Sequence, residues 1–426
     1  MKLTRTDIIL PVRWNFYRNR ESLQIPGRVV TTNEISATRL PEVDQSASID
    51  DLVNLAGQAA DILDQIRDAM LEPYPRKKAP TFTSASLAAL CGIDKQRVKY
   101  LTTKGELPAG TSRGSGKAKE FSLEETIQWV QATTRLTQRP EGVRGRVYAT
   151  ANFKGGVTKT TTTVASGQGL TLRGRRVLII DCDPQGSATQ LCGYAPETEI
   201  NEDETLLPLF YGEQSDVSYA IRKTYWHNLD LIPATTYLAD AEFEVPAKLL
   251  SDRKFEFWDI LNKGLKPIRD QYDVILIDTP PALSQITTNA LVAADAILLP
   301  CPPEGMDFAS STQFWRLFSE VASKLPGVNS HKRYDFVNVL MTKVRNTELS
   351  RTVQEWLAKA YGSRVLPIVI PESSVQVGAA AMLSTVYDVA KSDVSSSAFV
   401  RIREPFDRLA EYLDSQLVRA WAKGSE

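Results

Sequence analysis

Six short apolar runs limit what the C-terminal part of this chain can fold into. Val177–Asp181 (VLIID), Leu229–Pro233 (LDLIP), Val274–Asp278 (VILID), Ala296–Pro300 (AILLP), Phe336–Met341 (FVNVLM) and Val365–Ile370 (VLPIVI) are strand-length. Helix-compatible stretches such as Phe308–Leu325 and Leu349–Tyr361 lie between most of them. A strand that is apolar on nearly every residue needs cover on both faces. The alternation therefore predicts an α/β fold with a mostly parallel sheet and helices on both sides. Ligands of such sheets sit at the C-terminal ends of the strands.

Three motifs fall at such ends. After the apolar run Val147–Ala151 comes NFKGGVTKTTTTV, a loop between a strand and a helix-compatible stretch. Its backbone N–H groups from Gly155 through Thr160 can point at phosphates, and the helix behind adds its positive end. Lys159 would reach the β- and γ-phosphates, and the Thr160 hydroxyl would bind Mg²⁺. DCDPQGSAT places Asp181 and Asp183 where carboxylates meet a metal-bound water or the γ-phosphate. VILIDTPP ends a buried strand on Asp278, a position suited to holding Mg²⁺ through water. Any one of these aspartates could be a loop cap; three motifs in order are hard to explain by capping. Two features are unusual for a phosphate loop: an extra lysine, Lys154, ahead of the glycines, and Thr158 where glycine is usual.

A chain of 426 residues exceeds what one core usually serves. Composition divides it into 1–78, 79–144 and 145–426. In the first part, IDDLVNLAGQAADILDQIRDAML sets Leu52, Leu55, Ala59, Ile62, Ile66 and Met70 at helical spacing. Asp50 or Asp51 is expected to cap this helix, and EPYP to end it. Its stripe suits packing on its own domain or on a second copy. The second part is basic: Arg76 to Arg146 holds fourteen Lys/Arg against six Asp/Glu, in a chain of net charge −1. This asymmetry points to a polyanionic partner. TSASLAALCGIDKQRVKYLTTKGELP reads as two helices around a turn, with Leu87, Ala88, Leu90, Val98 and Leu101 inward. Its second helix would present Lys95, Gln96, Arg97, Lys99 and Tyr100 to a major groove, and TSRGSGKAKEF would form a wing using Arg113 and Lys117.

Other chemistries lack material. Cys91, Cys182, Cys192 and Cys301 form no CxxC pair and suit buried positions, and His227 and His331 are the only histidines. No apolar run approaches a membrane span, and no signal-peptide pattern opens the chain, so a soluble cytoplasmic protein is expected.

KGGVTKTT, DCDPQGSAT and DTPP together resemble the deviant Walker A, A-prime and Walker B motifs of the ParA/MinD family of ATPases, a likeness extending over nearly all of 145–415. The helix-turn-helix ahead of them resembles that of the large, plasmid-type partition proteins. The resemblance implies Mg²⁺-dependent ATP hydrolysis by a homodimer. It gives Lys154, Lys159 and Asp183 catalytic roles, with Lys154 crossing to the partner's nucleotide. ATP contacts fall to Lys154, Gly155, Gly156, Val157, Thr158, Lys159, Thr160, Thr161 and Pro371, and Mg²⁺ to Thr160, Asp181 and Asp278. It further implies nonspecific DNA binding, an operator bound in autorepression, a ParB-type centromere-binding partner, nucleoid association and no membrane. PESSVQVGAAAMLSTVYDV matches the family stretch that approaches the base. Smaller relatives often carry arginine where this chain has Gln376, so Lys343, Arg345, Arg351, Arg401 and Arg403 become the DNA candidates. A membrane-cycling relative would use the tail FDRLAEYLDSQLVRAWAKGSE, which is acidic for that task, and an iron–sulfur relative would need paired cysteines. A nucleotide-regulated repressor without a partition role is the alternative.

Overall fold

A computed structural model describes residues 22–25, 28–31, 48–70, 77–112, 118–134, 137–252, 254–391 and 393–424. The chain divides into two compact units, Met1–Leu71 and Glu72–Glu426. In the first, β1 (Ser22–Ile25) pairs antiparallel with β2 (Arg28–Thr31), and α1 spans Ile49–Met70. Neither Asp50 nor Asp51 caps α1. Ser48 does so: its Oγ accepts from Asp51 N (3.1 Å), while the Asp51 carboxylate accepts from Ser48 N (2.8 Å). This reciprocal pair fits a serine three residues ahead of an acid better than an acid alone. Leu52, Leu55 and Ile62 of the predicted stripe are exposed in this unit. The EPYP stretch lies outside the described residues.

In the second unit an eight-stranded sheet runs in the order β13-β12-β11-β6-β10-β7-β9-β8. The strands are β6 (Arg146–Thr150), β7 (Val177–Asp181), β8 (Arg222–Lys223), β9 (Leu229–Ile232), β10 (Val274–Asp278), β11 (Ala296–Cys301), β12 (Phe336–Val344) and β13 (Val365–Pro371). Every pairing is parallel except that of β8, an antiparallel edge on β9. Alternate residues feed opposite faces, as the pleat requires. Leu178, Ile180, Ile275 and Ile277 enter one core, and Val177, Ile179, Val274 and Leu276 the other. The first core is covered by α8 (Gln285–Ala293) and α9 (Gly305–Lys324). The second is covered by α5 (Lys159–Thr171) and α12 (Ser396–Gly424). Ile402, Phe406, Leu409, Leu413, Leu417 and Trp421 of α12 are buried there, so the amphipathic tail is a core helix. No described helix is long and apolar enough to cross a membrane.

Ahead of the sheet, α2 (Ser84–Cys91) stops at Gly92 with φ 63°, and Asp94 caps α3 (Lys95–Lys104) by accepting from Arg97 N at 2.7 Å. The left-handed residue between the helices needs glycine, which carries no Cβ penalty there. A small sheet of β3 (Phe82–Thr83), β5 (Lys119–Phe121) and β4 (Thr111–Ser112) and the helix α4 (Leu123–Thr133) complete the module. Leu87, Val98, Leu101, Phe121 and Trp129 form its core. Leu123 and Ile127, also on α4, instead join the core beneath α5 and α12. Lys95, Gln96, Arg97, Lys99 and Tyr100 of α3 are exposed; Arg113 and Lys117 lie outside the described residues. Part of the local positive charge is spent internally, since Lys77, Arg139 and Arg146 pair with Asp388, Asp273 and Asp335.

Candidate nucleotide site

The parallel register of β6, β10 and β7 sets Thr150, Asp278 and Asp181 side by side at the C-terminal edge of the sheet. The loop after β6 then turns through Gly156 (φ 73°) into α5. A Cβ added at Gly155 or Gly156 would meet nothing within 4 Å, so the loop lines open space. Val157 anchors it from behind, buried and accepting from Thr342 Oγ1 at 3.1 Å. Thr158 caps α5 at φ 74° and ψ 25°, a left-handed conformation in a β-branched residue. Its hydroxyl is buried without a hydrogen-bond partner. The glycine usual at this position is thus replaced without a change of backbone, at a strain of about 1–3 kcal/mol. Thr158→Gly is expected to raise thermal stability while leaving ATP affinity within about threefold, since the phosphate-facing groups here are backbone N–H donors. Unfolding curves and ATP titration check both.

The two lysines of the loop point to different places. Lys159 is buried, and its ammonium donates to Lys154 O at 3.1 Å. Burial pulls its pKa down, with Asp278 and then Asp183 opposing. Lys154 stays about one-third exposed and pairs with the buried Asp307 at 2.8 Å. Asp307 sits in the first turn of α9, where an acid ordinarily reads as a helix-dipole partner. The sequence carried no signal for this pairing.

The aspartates also differ. Asp181 is fully buried, and its Oδ2 accepts from Thr189 N and Thr189 Oγ1, both at 2.8 Å, while Oδ1 accepts from Asp183 N at 3.1 Å. It thereby ties the DCDPQG loop to α6 (Ser187–Leu191). Asp278 accepts from Thr163 Oγ1 on its Oδ1 at 3.2 Å, and its buried Oδ2 has no partner. Burial raises the pKa of both carboxyls, to about 7 for Asp181 and about 8 for Asp278, and Asp278 is eased by Thr160 and Lys159. Asp183 is half-buried and accepts from Gln185 N at 3.0 Å. A buried Asp278 with one orphaned oxygen, eased by Thr160 and set close enough to Asp181 and Asp183 to feel both, fits a hard divalent cation. Among the described residues no cluster of three or more His, Cys, Asp or Glu could hold a metal unaided. A cation here would rely on hydroxyl, phosphate and water oxygens as well. Thr160 and Thr161 are half-buried at the start of α5, and Pro371 ends β13.

The remaining basic candidates are dispersed. Arg351 on α10 (Glu348–Tyr361) and Arg401 on α12 are exposed. Arg403 lies 3.7 Å from the Tyr387 ring centre and pairs with Asp407. Arg345 pairs with Glu372 and Glu304, and Lys343 is half-buried at φ 50°. All four cysteines are buried and free, as expected.

A glycine-lined loop from strand to helix, an inward lysine at the helix start and a buried aspartate on the neighbouring strand define a P-loop nucleotide site. A family model described as an AAA domain matches residues 145–331. Protein SopA of Escherichia coli (strain K12) is 31% identical over 357 residues, covering 79% of this chain and 90% of SopA. Sporulation initiation inhibitor protein Soj of Bacillus subtilis (strain 168) is 34% identical over 229 residues, covering 54% of this chain and 85% of Soj. A solved structure titled "Partition Protein" superposes with a TM-score of 0.59 at 20% identity, covering 86% of this chain and 99% of that one, which bears on the fold alone. The chain belongs to the ParA/MinD family of ATPases.

Proposed function

We propose that this protein is a Mg²⁺-dependent DNA-segregation ATPase whose ATP-bound homodimer binds DNA and whose hydrolysis is stimulated by a ParB-type partner. The observation that carries it is the division between the two loop lysines. Lys159 is turned into its own site, and Lys154 stands at the rim, held to Asp307 by one ion pair. A rim lysine can leave that pair and reach the phosphates of a facing copy, where it would offset charge that grows during phosphoryl transfer. Lys159 and the loop N–H groups would hold the β- and γ-phosphates, and Asp183 would orient the attacking water. Mg²⁺, held through Thr160 and Asp278 with Asp181 behind, would screen the phosphate charge. Related proteins support these ligands: a cobyrinic acid a,c-diamide synthase from Mycobacterium smegmatis, 29% identical with a TM-score of 0.50, was solved with bound ADP and magnesium. ATP turnover by the full chain, measured alone, with DNA, and with DNA plus the centromere-binding protein, tests the reading. Turnover should be slow alone and rise at each addition; a rate indifferent to both additions opposes it.

The α2–turn–α3 module is assigned to operator recognition and autorepression, with α3 in the major groove and Arg351 and Arg401 serving nonspecific contacts. An exposed basic helix behind a capped turn supports this. The exposed Leu55 and Ile62 of α1 are assigned to the dimer, which pairs two readers on one operator. Arg97→Ala and Lys99→Ala in the full chain should each weaken operator binding, by about 1–3 kcal/mol where a base edge is read. The slope of log affinity against log salt should shrink by roughly one for each phosphate that is no longer neutralised. Unchanged binding across a salt titration in both variants counts against the assignment.

A further inference from the structure

The segment just ahead of α2 sends one side chain deep into the ATPase core. Lys77 has a side chain only 7% exposed. Its ammonium donates to Leu191 O at 2.8 Å and Tyr225 Oη at 3.3 Å, and pairs with Asp388 Oδ2 at 3.2 Å. These three partners use all three of its N–H bonds. The Tyr225 hydroxyl donates to Asp388 Oδ1 at 2.6 Å and accepts from Gln168 Nε2 at 2.9 Å. Thr385 closes the cluster: its Oγ1 donates to Gln168 Oε1 at 2.6 Å, and its N–H to Asp388 Oδ2 at 2.8 Å. A buried polar network satisfied at every member is rigid, because any displacement strands a donor or acceptor in low dielectric.

Three of the segments that meet in this cluster lead to the nucleotide site. Gln168 is on α5, the helix that Lys159 begins. Leu191 ends α6, the helix that Asp181 holds through Thr189. Thr385 and Asp388 lie beyond α11 (Ser374–Ala381), in the chain that continues from Pro371. On its other side Lys77 is five residues from β3, the first strand of the module. The module also rests directly on the far end of α5: Ile127 shares a core with Leu170, and Gln131 Nε2 donates to Gly174 O at 2.9 Å.

We propose that Lys77 is a positioning residue of the nucleotide site, and that the clamp it forms with Tyr225 and Asp388 transmits nucleotide state to the module at 82–133. This rests on the nucleotide-binding reading given above. A shift of α5 or α6 on phosphate binding cannot pass Lys77 without moving it, since a buried ammonium that follows one partner abandons the others. Linkage makes the coupling reciprocal: DNA on α3 changes nucleotide affinity by the same factor by which nucleotide changes DNA affinity.

Hydrogen–deuterium exchange on the full chain, with Mg²⁺ and a non-hydrolysable ATP analogue, tests the proposal. In the parent, nucleotide should raise protection at 155–163 and alter exchange in α2 and α3. Lys77→Met/Asp388→Asn removes both charges together and avoids a lone buried carboxylate; Tyr225→Phe removes only the bridging hydroxyl. Both variants should keep the protection at 155–163 and lose the response at 84–104. Their KM for ATP should rise by about three- to tenfold with kcat less affected, the pattern of weakened ground-state positioning. A parent protected at 155–163 but silent at 84–104 overturns the clamp alone, as does a variant whose module responds like the parent's. No nucleotide protection at 155–163 in the parent overturns the nucleotide-site reading, and the clamp with it.

Discussion

Lys159→Glu is expected to abolish tight nucleotide binding, with ATP affinity falling by roughly 10²–10⁴-fold, the scale of removing one member of a buried charge pair. The parent ammonium is buried at the start of α5 with Asp278 and Asp183 acting on it. Glutamate there would add a carboxylate to a pocket whose two buried carboxyls already have raised pKa values. Lys159→Gln removes the cation without adding an anion, and should lose affinity less severely. Equilibrium titration with a fluorescent ATP analogue separates the two variants. Near-parent affinity in Lys159→Glu would end the P-loop assignment.

Lys154→Ala and Asp183→Ala should fail in opposite ways. Without Lys154, each subunit keeps Lys159, the loop N–H donors and Asp278, so ATP still binds, but the dimer lacks the cation that each copy lends to the other. ATP-dependent dimerisation and turnover both fall. Without Asp183, ATP binds and the dimer closes, but the attacking water loses its orienting carboxylate. Turnover then drops by about 10²–10⁴-fold, as for loss of a general base, and the trapped dimer should hold nonspecific DNA for longer. Sedimentation with ATP and Mg²⁺, alongside phosphate release, reads both. Asp307→Asn should ease Lys154 out of its resting pair and favour the dimer at lower ATP.

The parts legible in the sequence are those written locally. VLIID and VILID are apolar on every residue before their aspartate, and the structure buries each throughout. The turn between the two helices was legible from Gly92, which ends α2, while the Asp94 cap that starts α3 emerges only in the structure. The strand β8 was missed because Arg222–Lys223 is two polar residues with no period to detect. Ser48 was missed as the α1 cap because Asp50 and Asp51 stand nearer the apolar stripe and compete for the role. Asp307 lies 153 residues from Lys154, and only the fold joins them. Lys77 misled in the other direction: in a basic run it reads as solvated charge for a polyanion, yet it is spent on a buried carboxylate, a carbonyl and a phenol. The φ of 74° at Thr158 was only half legible: glycine's usual place in the loop raises a positive φ there, while a β-branched residue argues against it.

Whether Lys154 serves the opposite subunit is tested most directly by mixing two inactive variants. Equal amounts of Lys154→Ala and Asp183→Ala subunits are combined with ATP, Mg²⁺ and DNA, and phosphate release is compared with that of either variant alone. If Lys154 acts across the dimer, each mixed dimer holds one complete site: the Lys154→Ala subunit contributes its own Asp183 and receives Lys154 from its partner. Statistical pairing then restores about a quarter of the parent turnover. If Lys154 acts within its own subunit, neither site is complete in any pairing. A mixture no more active than its two components would contradict the account.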